Sequence, residues 1–191
     1  MSSLVGPQQT ALAAAVLLLA PFVPLLFMGE EYAEPAPFPY FVDHSDPRLL
    51  EAVRDGRAEE FGREADAFDP AAAETFEKAR LDRAARESPE GKEMLATYRS
   101  LIEARRRYSV ITDPAALEST ATVVGSVMVV HRRNRTQTAL MAYNFAADGT
   151  RIGLPDHHDW SLVLESTAHL TDGAIELAPY GYALCVAAGD Q

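Results

Sequence analysis

The densest group of side chains able to do chemistry lies between residues 30 and 46. Glu30, Glu31 and Tyr32 come first, and Asp43, His44 and Asp46 follow further along. Between them stand Phe38, Tyr40 and Phe41, spaced by Pro35, Pro37 and Pro39. Carboxylates and an imidazole supply general acids and bases, and aromatic rings supply flat faces for stacking. Glu30 and Glu31 are adjacent, so on a strand they point to opposite faces and cannot readily flank one bond. Each of these residues also has a plainer reading. The glutamates could pair with a backbone amide or an arginine, Asp43 and His44 could cap a loop, and the aromatics could pack beneath it.

Other chemistries are poorly represented. His157 and His158, with Asp156 and Asp159, are metal-ligand types, but they stand where a turn is expected and read as a solvated loop. His44, His131 and His169 are scattered. There is no Gly-rich phosphate loop and no Gly-x-Ser-x-Gly elbow. Neither a metal nor a cofactor is expected. Cys185 is the single cysteine and lies in the apolar run from Ala183 to Ala187, so it reads as core. It cannot form an internal disulfide and gives no sign of an oxidising compartment.

The elements that must position these groups can be read from pattern. Gln8 to Ala20 reads as a helix preceded by Gly6-Pro7 and ended by Pro21. Val23 to Met28 reads as a short buried strand ending at Gly29, and Ala33 to Phe41 as a stiff, proline-rich loop. Asp46-Pro47 and Asp69-Pro70 each suit a helix start, and Asp113-Pro114 suits a short turn. The clearest helix runs from Ser88-Pro89 to about Arg107, with Met94, Leu95, Tyr98, Leu101 and Ile102 on one stripe. Its basic end, Arg105-Arg106-Arg107, complements the negative pole of the helix. After Ala116 the pattern turns to β. Val123–His131, Thr138–Phe145, Ser161–Glu165 and Tyr182–Ala187 are β-rich. Turn signals at Arg133-Asn134, Asp148-Gly149, Asp156-His157 and Asp172-Gly173 separate them, which predicts an antiparallel sandwich. The boundary falls near residues 112 to 120.

The formal net charge of -11 argues against a nucleic-acid partner. The apolar stretch from Ala11 to Met28 lacks a preceding Lys or Arg and is split by Pro21 and Pro24, so it reads as buried helix and strand, not as a signal peptide or membrane span. A cytoplasmic location follows as the expectation.

Leu25-Leu26-Phe27-Met28-Gly29-Glu30-Glu31-Tyr32 is similar to the last barrel strand of α-amylase relatives. Pro37-Phe38-Pro39-Tyr40-Phe41-Val42-Asp43-His44, Asp46-Pro47, Ala52-Val53-Arg54 and Gly56-Arg57 narrow the match, as do Glu60-Phe61, Thr75-Phe76-Glu77 and Tyr98-Arg99 with Leu101-Ile102 and Arg105-Arg106. Together they resemble the maltooligosyl-trehalose trehalohydrolases, glycosidases of the α-amylase superfamily. Ala33 stands where that family usually has Gly, and Arg83 where it often has Trp. The resemblance implies an α+β chain. Residues 1–112 are then the last helix/strand/helix portion of a (β/α)8 TIM barrel, and residues 113–191 a C-terminal antiparallel β-sandwich.

Retaining glycosidases need two carboxylates about 5 to 5.5 Å apart. By the resemblance, the nucleophile Asp, the acid Glu and a third Asp lie on earlier strands, so no catalytic residue is expected within this chain. Glu30, Glu31, Tyr32, Asp43 and His44 are the candidate substrate-binding residues at the barrel rim. The implied ligand is maltooligosyl-trehalose or a related α-glucan. Three readings stay open: an inactive fragment, one half of a two-chain enzyme, or a free-standing carbohydrate-binding or interaction module. An incomplete barrel also implies self-association, or a complementing chain, through residues 10–41.

Overall fold

The computed structural model describes residues 4–61, 69–155 and 159–189. The chain forms two compact units, Met1–Ala33 with Arg86–Gln191, and Glu34–Ala85. Among the described residues no helix is long and apolar enough to cross a membrane.

In the first unit, helix α1 spans Pro7–Leu18, with Pro7 at its first position and the Gly6 N–H donating to Gln9 Oε1 at 2.8 Å. The longer helix of this unit, Pro89–Arg107, starts as its sequence predicts. Ser88 caps it by accepting the Gly91 N–H at 2.9 Å, and Pro89 takes the first turn. Met94, Tyr98, Leu101 and Ala104 form its buried stripe, while Ile102, expected on that stripe, is exposed. Spacings of three and four residues place the first set on one face, and Ile102 falls beside it.

Strands β1 (Glu118–Val124), β2 (Val127–Arg133), β3 (Gln137–Asn144), β4 (Thr150–Gly153), β5 (Ser161–Thr171) and β6 (Ala174–Ala188) make a single six-stranded antiparallel sheet. Its order is β1-β2-β3-β6-β4, with β5 also paired to β6. The long β6 organises the sheet. Its first residues, Ala174–Leu177, pair with β4, its later ones pair with β3, and β5 runs along its other edge. β5 bulges between Leu162 and Leu164 and again between Ser166 and Ala168, and Thr167 has a positive φ of 52°. Such bulges bend a strand and increase its twist.

Alternation along β3 and β6 sends side chains to two apolar layers. Met141, Tyr143, Tyr182, Leu184 and Val186 meet α1 and the Pro89–Arg107 helix around Leu12, Leu18, Leu101 and Ile111. Leu140, Ala142, Ile175, Ala183 and Cys185 form a second cluster with Leu154 and Ala168. Burying each large side chain contributes about 1.5–3 kcal/mol. Asn144, fully buried at the end of β3, donates to the carbonyls of Asp148 and Ala178 at 2.8 and 2.9 Å and accepts the Ala146 N–H. Cys185 is 0 % exposed, and burial pushes its thiol up to about 11, consistent with an inert core residue.

Three local expectations are corrected. Val23–Met28 forms no strand: it is irregular backbone with Val23 93 % and Leu25 88 % exposed. An isolated extended segment has no ladder to join unless neighbouring strands are supplied. Val123–His131 is not one strand but a hairpin that turns at Gly125-Ser126. Gly125 has φ 61°, the first-position glycine of a type II′ turn. Asp69-Pro70 does not open a helix directly. The Asp69 carboxylate accepts the Ala71 N–H in a turn, and the next helix begins at Ala73.

The junction at residues 108–116 is packed. Arg132, 4 % exposed on β2, donates to the carbonyls of Val110 and Asp113 and to the Ser119 hydroxyl at 2.8–2.9 Å. Asn134 donates to Ser109 and Asp113. Apolar packing likewise crosses residues 112 and 113 through Val110 and Ile111.

In the second unit, helix α2 (Pro47–Phe61) follows Asp46, whose carboxylate accepts the Arg48 N–H at 2.9 Å. Helix α3 is Ala73–Lys78. An Arg54 fork to Asp69 at 2.8 and 2.9 Å joins α2 to the turn before α3, and the Val42 N–H donates to Pro70. We number the Pro89–Arg107 helix α4.

Candidate functional site

The candidate residues fall in both units: Glu30, Glu31 and Tyr32 in the first, Asp43 and His44 in the second. Glu30–Tyr32 is one turn of 3-10 helix, not the end of a strand. Gly29 (φ 86°) precedes it and Ala33 (φ 56°) follows, so left-handed residues bracket the turn. Three residues per turn set neighbouring side chains about 120° apart. Glu30 and Glu31 therefore still diverge, though less than on a strand.

Glu30 is half-buried, and its Oε1 accepts the Tyr98 hydroxyl at 3.2 Å. Tyr98 comes from α4 and is 4 % exposed. Burial first, then the Glu30 charge and the hydrogen bond to it, raise the Tyr98 pKa far above the ordinary tyrosine value. The phenol thus remains a neutral donor at physiological pH. Tyr32 is 8 % exposed, so its ring is mostly packed inside the unit. The turn can offer carboxylate acceptors to a polyhydroxylated ligand. Glu30 is already oriented by one donor.

Asp43 and His44 lie exposed in an irregular segment of the second unit. The neighbouring aromatics mostly pack on each other. Phe41 meets Phe38 and Phe76 edge to face, with centroids 5.9 and 5.2 Å apart, and Arg57 lies 4.7 Å over the Tyr40 ring. Among the described residues no group of three His, Cys, Asp or Glu could hold a metal ion. Asp156, His157 and His158, considered as ligands from sequence, lie outside the described residues.

Two residues at this turn's support were not read as site residues from sequence. Tyr98 was legible only as part of an apolar stripe, and Arg105 only as a helix-end charge. The signal for Tyr98 was its hydroxyl: a buried tyrosine needs a partner for that group. Arg105 donates from Nη1 to the carbonyls of Leu18 (2.8 Å) and Ala20, and from Nη2 to that of Phe22 (2.6 Å). It thereby satisfies carbonyls left over at the end of α1.

Helices laid on a curled antiparallel sheet are an arrangement that this chain shares with solved α-amylase family proteins. A crystal structure from Salmonella typhimurium, provisionally described as an α-amylase, superposes with a TM-score of 0.82 at 31 % identity. The match covers 97 % of this chain and 32 % of that one. Among curated proteins, the malto-oligosyltrehalose trehalohydrolase of Mycobacterium tuberculosis is 32 % identical over 186 residues, covering 94 % of this chain and 31 % of the relative. That of Saccharolobus solfataricus is 40 % identical over 107 residues, covering 56 % and 18 %. No family model matches. The chain belongs to the malto-oligosyltrehalose trehalohydrolase family and spans less than a third of the length of these relatives.

Proposed function

We propose that the chain is the C-terminal part of a malto-oligosyltrehalose trehalohydrolase. In this reading residues 1–112 supply the last helix, strand and helix of a (β/α)8 barrel. Residues 113–191 form the sandwich-type β domain that follows. The complete enzyme hydrolyses the α-1,4 bond that releases trehalose from maltooligosyl-trehalose, in the cytoplasm and without a cofactor. Its catalytic Asp, Glu and Asp come from outside residues 1–191, and these residues alone are inactive. Glu30 or Glu31 accepts a hydrogen bond from a sugar hydroxyl at the barrel rim, and Asp43 and His44 line a subsite.

The observation that carries this reading is the 32 % identity over 186 residues to a curated trehalohydrolase. The exposed apolar run from Phe22 to Met28 supports it, because continuous apolar runs suit strands covered on both faces. The test is trehalose release from maltooligosyl-trehalose. The expected result is none from residues 1–191 alone. Activity is expected when they replace the matching segment of the Mycobacterium tuberculosis relative. Release by the chain alone, or an inactive but folded replacement, would refute the reading.

A second reading, a free-standing carbohydrate-binding module, is favoured by one feature. A groove of about 400 Å³ beside the sheet is lined by Trp160, Asp159, Ser161 and Thr171. Trp160 is the single tryptophan, so its fluorescence reports on this groove directly. Saturable quenching by maltotriose would favour the module.

A further inference from the structure

We propose that α4 is a positioning clamp for the Glu30 turn, with Tyr98 holding the carboxylate and Arg105 holding the chain that leads to it. Tyr98 and Arg105 are seven residues apart, about two helical turns, and so lie on nearly the same face of α4. At one point the Tyr98 hydroxyl donates to Glu30 at 3.2 Å. At the other, the Arg105 fork reaches the carbonyls of Leu18, Ala20 and Phe22. Val23–Met28 lies between these anchors and belongs to no strand.

The chemistry of the two side chains suits the task. The pKa of Tyr98 is raised, so its hydroxyl donates to the carboxylate without competing ionisation. A guanidinium has several donors in a rigid fork and can bind three carbonyls at once, which an ammonium on a flexible stem cannot do with the same geometry. Both are positioning residues. Their bearing on sugar binding rests on the proposed role of Glu30, but the clamp itself is testable without sugar.

The full chain would be compared with its Tyr98→Phe, Arg105→Lys and Glu30→Gln variants by hydrogen exchange over residues 19–33. The Glu30, Tyr32 and Ala33 amides are hydrogen-bonded within the turn and report on it. Tyr98→Phe keeps the packed ring. It is expected to speed exchange of these amides about ten-fold, the scale of one hydrogen bond to a charged group, and to lower the melting temperature by only about 3–6 °C. Arg105→Lys should speed the same amides. Glu30→Gln, which leaves only a weaker neutral acceptor, should speed the same amides, and combining it with Tyr98→Phe should add less than Tyr98→Phe does alone. Wild-type exchange in either α4 variant, or fully additive effects in the double variant, overturns the clamp. Failure of the sugar reading would show separately, as an unchanged KM for Glu30→Gln in the completed enzyme while the exchange results stand.

Discussion

Ala33 sits at φ 56°, ψ 44°, where a side chain meets the following carbonyl at a cost of roughly 1–2 kcal/mol. The family resemblance places glycine at this position, and the backbone supplies the reason. Ala33→Gly is expected to stabilise the chain by about 0.5–1 kcal/mol once the extra unfolded-state freedom of glycine is subtracted. Urea unfolding measures this, and a loss of stability would show that Ala33 is unstrained. Asp69 gives a pH prediction. The hydrogen bond from Arg54, then that from the Ala71 N–H, holds its carboxyl below the ordinary value of 3.8. A depressed carboxyl contributes stability that is present above 3.8 and is lost as pH falls through the lower folded-state value. The pair is exposed, so the effect is small. Protection of the Val42 amide, taken relative to its intrinsic exchange rate at each pH, should fall below pH 3.8 (the Asp69 reference value) in the wild type. It should depend less on pH in Asp69→Asn, and identical profiles would remove the pair from the account.

Among the elements, the junction between α4 and β1 carries the sharpest expectation. Arg132 is nearly buried and satisfies the carbonyls of Val110 and Asp113 together with the Ser119 hydroxyl. Burial lowers its pKa, and the Asp113 charge opposes that shift. Arg132→Met keeps the apolar stem but leaves buried acceptors unpaired, at about 1–3 kcal/mol each before water enters. A loss of about 2–4 kcal/mol in denaturant unfolding is expected. A change below about 0.5 kcal/mol would mean that the network is solvated. The hairpin at Gly125-Ser126 teaches a related lesson. Val123–His131 carries continuous β propensity, and only the two-residue turn interrupts it. Gly-Ser was a legible type II′ signal hidden within an apolar run.

At the scale of the whole molecule, the segment Phe22–Met28 dominates. Phe22, Val23 and Leu25 are 76 %, 93 % and 88 % exposed. Contiguous apolar surface of this kind marks an interaction site or an aggregation liability, and each Å² left in water costs roughly 25 cal/mol. The isolated chain is expected to self-associate through residues 10–41 or to require a partner that covers them. Light scattering should show mass rising with concentration, and Val23→Lys with Leu25→Lys should suppress it. A compact monomer at high concentration that binds no hydrophobic dye would refute this.

The family came from a resemblance to known sequences, whereas residue types and spacing determined the cap and most of the stripe of α4, the helix before Pro21 and the β-rich half. These depend on local rules: a serine that accepts an amide, apolar side chains every three or four residues, alternation along a strand. The position of Glu30 against Tyr98, 68 residues apart, was not legible, nor was the Arg105 grip on the end of α1. Such pairings arise when packing brings distant segments together, and local pattern carries no record of the partner. The same reason separates the two outcomes for apolar runs. Thr138–Asn144 became a central strand because β2 and β6 flank it. Val23–Met28, as apolar in composition, stayed outside any ladder because strand formation requires a neighbour to accept its backbone hydrogen bonds, and the described residues bring it none.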